Sequence, residues 1–130
     1  MAKNYYDLLG VDKNASADEI KKALGIASVY TEIYSLRVLN SNEKDGFQID
    51  LIIDRKDNTI NLCEIKFYAD KFTITKSYYQ QLIKKRQRFI EHTGTKKQVF
   101  LTFITNHGIL KNAYANEVVD AEVTLEELIN

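Results

Sequence analysis

The chain has 130 residues, 45% of them hydrophobic, enough for one small domain with a closed core and too few for two. Its 18 basic and 18 acidic residues cancel, so no global field draws it to nucleic acid or anionic lipid, and any polyanion contact must come from local clustering. Cys63 is the single cysteine, which excludes an internal disulfide, and no apolar run approaches the roughly 18 residues of a membrane span; a soluble cytoplasmic domain without a membrane partner is expected.

In chain order, "KNYYDLLGVDKNASADEIKKALGI" divides into two helical pieces. Tyr5, Leu8 and Leu9 mark a short helix that stops at Gly10. Ser16 then reads as an N-cap with Glu19 three residues on, and Ile20, Ala23 and Leu24 form an apolar stripe that ends at Gly25. Helix over residues 17–24 should therefore pack on the sheet through Ile20 and Leu24. Residues 27–38, rich in β-branched and aromatic side chains, predict a strand, and two more follow near 46–55 and 59–68. A connection with an extended turn at 72–74 leads to the clearest helix, where Tyr79, Leu82, Ile83, Arg86, Phe89 and Ile90 share a face until Gly94. "KKQVFLTFIT" predicts a strand buried on both faces. After "NHGILKNAYAN", "VVDAEVT" reads as an edge strand and "TLEELIN" as a helical turn capped by Thr124. The order helix, strand, strand, strand, helix, strand argues for an α/β fold, a mixed β-sheet flanked by helices.

The hairpin "GFQIDLIIDRKDNTINLCEIKFY" places charges inside strands. Strict alternation puts Phe47, Ile49, Leu51 and Ile53 on one face and Gln48, Asp50, Ile52 and Asp54 on the other; in the second strand Ile60, Leu62, Glu64 and Lys66 share a face. A three-residue loop at Lys56-Asp57-Asn58 sets position 50 opposite 64, a loop at Asp57-Asn58-Thr59 sets 50 opposite 66, and a two-residue loop separates the charges. With either odd loop, Asp50, Glu64 and Lys66 share a face. Facing carboxylates repel, and burial raises the cost unless something neutralises them. A divalent metal such as Mg²⁺ or Mn²⁺, bound by Asp50 and Glu64, removes the conflict, with Lys66 beside it for charge developing on a phosphate. The other reading of the same pattern is a salt-bridge cluster at a wet end of the sheet.

Asp50 followed by Glu64-Ile65-Lys66 resembles the motif of the PD-(D/E)XK nuclease superfamily, whose core has the same αβββαβ order. More specifically, "IKKALGI", "QIDLIIDRKDNTINLCEIKF", "ITKSY" and "VFLTFITNHG" resemble the nuclease-like domain found after the ATPase module in a family of bacterial ATP-binding proteins, over residues 20–130. The resemblance implies Mg²⁺-dependent phosphodiester hydrolysis of DNA, with Asp50 and Glu64 as metal ligands and Lys66 as the catalytic lysine. The acid that many members carry on the first helix has no clear counterpart here; Asp18, Glu19 and Glu32 are the substitutes, each also readable as a surface charge. No G-x-x-x-x-G-K-[ST] occurs, so the ATPase module is missing from this sequence. The expected function is a metal-dependent nuclease-like domain of weak or remnant activity. Its alternative is a non-catalytic module with the same fold that binds DNA or a protein.

"NYYDLLGVDKNASADEIKKA" resembles the start of a DnaJ-type J-domain, through Tyr5, Tyr6, Leu9, Gly10, Val11, Ala15, Ser16, Glu19, Ile20, Lys21, Lys22 and Ala23, but only over residues 1–23. A J-domain triggers its chaperone ATPase through a His-Pro-Asp loop, and this chain has no proline. No chaperone stimulation is expected, and the segment reads as a truncated cap fused to the nuclease-like part. On the long helix, Lys76 and Gln80 are the auxiliary site candidates. Lys84 and Arg88 read as a phosphate-contacting or merely solvated face. His92 suits a helix C-terminus, and Cys63 reads as core.

Overall fold

The computed structural model describes residues 13–41 and 44–129. The short helix expected before Gly10, and the J-domain-like residues from Tyr5 to Val11, fall outside them. The elements are α1 (Lys13–Ala23), β1 (Thr31–Val38), β2 (Phe47–Arg55), β3 (Thr59–Lys66), α2 (Lys76–Thr93), β4 (Gln98–Thr105), α3 (Ala113–Val118), β5 (Ala121–Thr124) and α4 (Leu125–Ile129). The strands form one five-stranded sheet in chain order. β1 to β3 run antiparallel, and β3, β4 and β5 run parallel, joined by the helical crossovers α2 and α3. The result is a mixed α/β fold with helices on both faces, as expected.

Two apolar layers hold it. On one face Ile52, Ile60, Leu62, Leu101 and Phe103 pack against Leu82 and Phe89 of α2 and Ala115 and Val118 of α3. On the other, Leu51, Ile53, Cys63, Ile104 and Val123 pack against Ala17 and Ile20 of α1 and Leu128 of α4. Ile20 is fully buried and Leu24 packs against the same layer, as the stripe predicts. The helix begins earlier than expected, at Lys13, so Ser16 lies in its first turn and is not its N-cap. Strand β1 begins only at Thr31, because Gly25 in the left-handed region (φ 77°) and a Val29 N–H to Ile26 C=O turn occupy residues 25–29.

Helix α2 ends as its sequence dictates, on Gly94 in the left-handed conformation, whose N–H returns to Ile90 C=O. At the head of α4, Thr124 donates both its backbone N–H and its hydroxyl to the Glu127 carboxylate, one half of a capping box. Helix α3 was not expected. Its signal is Asn112, whose side chain accepts from Ala115 N–H at the head of a six-residue helix too short to show a periodic stripe.

Candidate functional site

The hairpin loop is odd, as required. Arg55 pairs with Thr59 across Lys56-Asp57-Asn58, and Asn58 takes the left-handed conformation (φ 67°) that closes a three-residue loop. The β2–β3 ladder then runs from that loop to Leu51↔Cys63, one step short of Asp50 and Glu64. β3 continues through Glu64 and Lys66 paired with Phe103 and Thr105 of β4, while β2 continues paired with β1. The two strands part at the charged positions, with Asp50 on one prong of a fork and Glu64 and Lys66 on the other.

The expectation that these three share a face is corrected by a β-bulge. Between Tyr34↔Ile52 and Leu36↔Ile49 the register slips, so β2 spends three steps where β1 spends two. Phe47 and Ile49 consequently pack in the same layer as Ile52, while Leu51 and Ile53 pack in the opposite one. Asp50 stays with its i−2 neighbour on the side away from Ile49: Gln48 Nε2 donates to Asp50 Oδ1 at 2.7 Å, and both residues are exposed. Glu64, in phase with Ile60 and Leu62, points towards α2. There Lys85 Nζ donates to Glu64 Oε1 at 2.6 Å, with side-chain exposures of 25% and 11% respectively.

Lys66 lies beside neither carboxylate in an ion pair. Its ammonium sits 4.9 Å from the Tyr78 ring centroid and 5.8 Å from that of Phe72, within cation–π range of both. Tyr78 links the two lysines' surroundings. Burial pushes its phenol far above the ordinary tyrosine range, and the charge of Glu64 pushes it further. Its hydroxyl is buried and makes no hydrogen bond among the described residues. The structure thus gathers Glu64, Lys85, Tyr78 and Lys66 beneath the first half of α2 and leaves Asp50 apart. In the sequence Lys85 reads as one of the cations of the helix and Tyr78 as one of the packing tyrosines, neither of them set against Glu64 and Lys66. The available signal was their helical spacing of seven, which puts both on the α2 face towards the sheet.

The remaining candidates fall outside this cluster. Lys76 and Gln80 are exposed on α2. Asp18, Glu19 and Glu32 are exposed. The cations further along α2 are neutralised: Lys84 by Asp45, Arg86 by Asp120 at 3.7 Å and Arg88 by Glu91 at 3.5 Å. Lys84 therefore belongs to a solvated, charge-balanced face, whereas Arg88 is largely buried, its guanidinium over the Phe47 ring and donating to Asp45 C=O. His92 is exposed and its ring meets Phe47 edge-on at 6.1 Å. Cys63 is buried core, and burial holds its thiol well above the usual range. Among the described residues no group of three His, Cys, Asp or Glu side chains is arranged to hold a metal, and no helix is long and apolar enough to cross a membrane.

Comparison with known proteins bears on the fold alone. No protein-family model matches the chain, and no curated protein matches it. Among solved structures, the crystal structure of a protein of unknown function, AF1548, is similar with a TM-score of 0.56 at 14% identity. The similarity covers 88% of this chain and 64% of that one. A mixed sheet flanked by helices is thus an arrangement shared with a solved structure.

Proposed function

We propose that this chain is a nuclease-like domain of the PD-(D/E)XK type that works as a nucleic-acid-binding module, its metal-dependent hydrolysis lost. The αβββαβ order and the fork that carries Asp50, Glu64 and Lys66 support the nuclease-like part. The observation that carries the loss of hydrolysis is the Glu64–Lys85 pair. The more buried of the two carboxylates is already neutralised by a lysine at 2.6 Å, and Asp50 is turned to Gln48. As arranged, the two acids do not fit a shared Mg²⁺ or Mn²⁺, which requires several oxygen ligands converging on one point. No hydrolytic step is assigned to it. Chaperone stimulation is no part of the proposal, since the sequence has no proline for the His-Pro-Asp loop.

Fluorescence anisotropy with labelled single-stranded and duplex oligonucleotides at two salt concentrations tests it. Saturable, salt-weakened binding without strand cleavage in Mg²⁺ is expected. Absence of any binding at low salt overturns the proposal in favour of a protein-binding module. A second reading, weak Mg²⁺-dependent cleavage of DNA, is favoured by one feature. The register that ends at Leu51↔Cys63, carried one step further, sets Asp50 opposite Glu64.

A further inference from the structure

At the end of β3 the chain builds a column of aromatic rings that leads from the core to the surface. Phe103 in β4 is fully buried. Phe72 stacks on it with centroids 6.2 Å apart and planes inclined by 27°, and Tyr68 stacks on Phe72 at 5.2 Å and 26°. Tyr78 props the column from the side, edge-on to both Phe72 and Phe103. Tyr68, the outermost ring, is 52% exposed.

The column is held by backbone bonds as well as by ring packing. Tyr68 N–H donates to Asn106 Oδ1 at 3.0 Å. Phe72 N–H donates to Gly108 C=O, and Leu110 N–H to Phe72 C=O, both at 2.9 Å. An exposed tyrosine on an anchored stack loses little freedom when a second flat ring settles on it. The cations nearby stand outside ion pairs, with one exposed carboxylate, Asp70, between them in the chain and accepting from Lys71 N–H at 2.8 Å. Lys66 lies over the Phe72 and Tyr78 rings, and neither it nor the exposed Lys71 forms an ion pair among the described residues, in contrast to the four paired cations of α2. A flat π-face combined with unpaired ammonium groups is the chemistry that recognises a base together with its phosphates.

We propose that Tyr68 is a stacking platform for an unpaired base of single-stranded nucleic acid, with Lys66 and Lys71 supplying positive charge for the adjoining phosphates. The inference rests on the nucleic-acid-binding reading above and specifies the form of ligand. Duplex bases, stacked on each other, offer no free face to Tyr68.

The test uses the full chain and a fluorescein-labelled oligothymidylate of roughly 15 nucleotides, within the site sizes of single-strand binders. Tyr68→Ala should weaken binding roughly 5- to 150-fold, the span of base–aromatic stacking. Tyr68→Phe should bind as the parent does, and Tyr68→Leu, which keeps apolar cover over Phe72 without a π-face, should bind as weakly as the alanine variant. An abasic strand of the same length and charge should bind the unaltered parent as weakly as the thymidylate binds Tyr68→Ala, a comparison independent of how any variant folds. If the parent binds single strands or duplex and Tyr68→Ala or the abasic strand makes no difference, the platform is wrong while the binding-module reading stands. If the parent binds neither nucleic acid, both fall.

Discussion

Replacing Lys85 by methionine removes the ammonium that faces Glu64 and keeps most of the apolar stem. The carboxylate it leaves behind is only 11% exposed. Breaking a fully buried ion pair from one side costs about 3–5 kcal/mol, because the surviving charge is desolvated without a partner. A quarter of the Lys85 side chain is exposed, so solvent screens the pair in part, and a cost of about 2–3 kcal/mol follows. For a chain of this size that lowers the melting temperature by roughly 6–12 °C. Glu64→Gln leaves the opposite orphan, an ammonium on a flexible stem that can reach water, and should cost less than about 1 kcal/mol. Combining the two removes the uncompensated charge, so the double variant should recover to within about 1 kcal/mol of the parent. Urea denaturation of the four proteins measures the cycle. If Lys85→Met alone lies within about 0.5 kcal/mol of the parent, Glu64 does not depend on Lys85 and the argument against a metal-ready carboxylate fails.

Two further outcomes follow from burial. Ile20→Ala, at a fully buried position against Leu51 and Ile53, should cost about 2–4 kcal/mol in urea, and deletion of residues 1–25 should leave an aggregating or partly unfolded chain; a truncated protein with an unchanged melting temperature would make the α1 contact dispensable. The Tyr78 phenol is pushed up in the folded state by burial and by Glu64, so the folded chain resists an ionisation that the unfolded chain undergoes near pH 10. Its contribution to stability is therefore intact below that pH and is lost as pH rises beyond it, by up to about 1.4 kcal/mol per pH unit. Tyr78→Phe should flatten this decline and, since the hydroxyl has no hydrogen bond to lose, should be neutral or stabilising at pH 7. Denaturant melts at pH 7 and above pH 10 decide it, and a clear loss at pH 7 would mean that the hydroxyl has a partner after all.

The parts of the fold written in repeated patterns were legible. Helix α2 shows about three turns of spacing from Tyr79 to Ile90 before a glycine stop, and its observed span, Lys76–Thr93, follows them, with Thr75 added as its N-cap. The three-residue hairpin loop was among the alternatives the alternation left open, and Asn58 accepts the backbone conformation it demands. The bulge was hidden for a physical reason. Phe47, Ile49, Leu51 and Ile53 alternate without a break in sequence, yet the first two pack on one face and the last two on the other. At residues 51–53 the strand is buried on both sides, so an apolar residue at each position carries no information about which way it points. One inserted residue in the β1–β2 ladder was enough to move Asp50 out of the cluster. The roles of Lys85 and Tyr78 were unreadable for a related reason, since helical spacing gives a face but not the carboxylate or lysine that the face meets. Nothing in the sequence sets Tyr68 apart from the other tyrosines, because the ring stack of Phe72 and Phe103 beneath it is assembled only in the fold.

The central claim, that Glu64 is committed to Lys85 and not to a shared metal with Asp50, is tested most directly by thermal denaturation in millimolar Mn²⁺ against sodium chloride of equal ionic strength. A cation that binds only the folded chain must raise its melting temperature. The account predicts coincident melts for the parent, and no difference in metal response between it and Asp50→Asn. A saturable rise in Mn²⁺ that disappears in both Asp50→Asn and Glu64→Gln would contradict the account and establish the two carboxylates as a metal site.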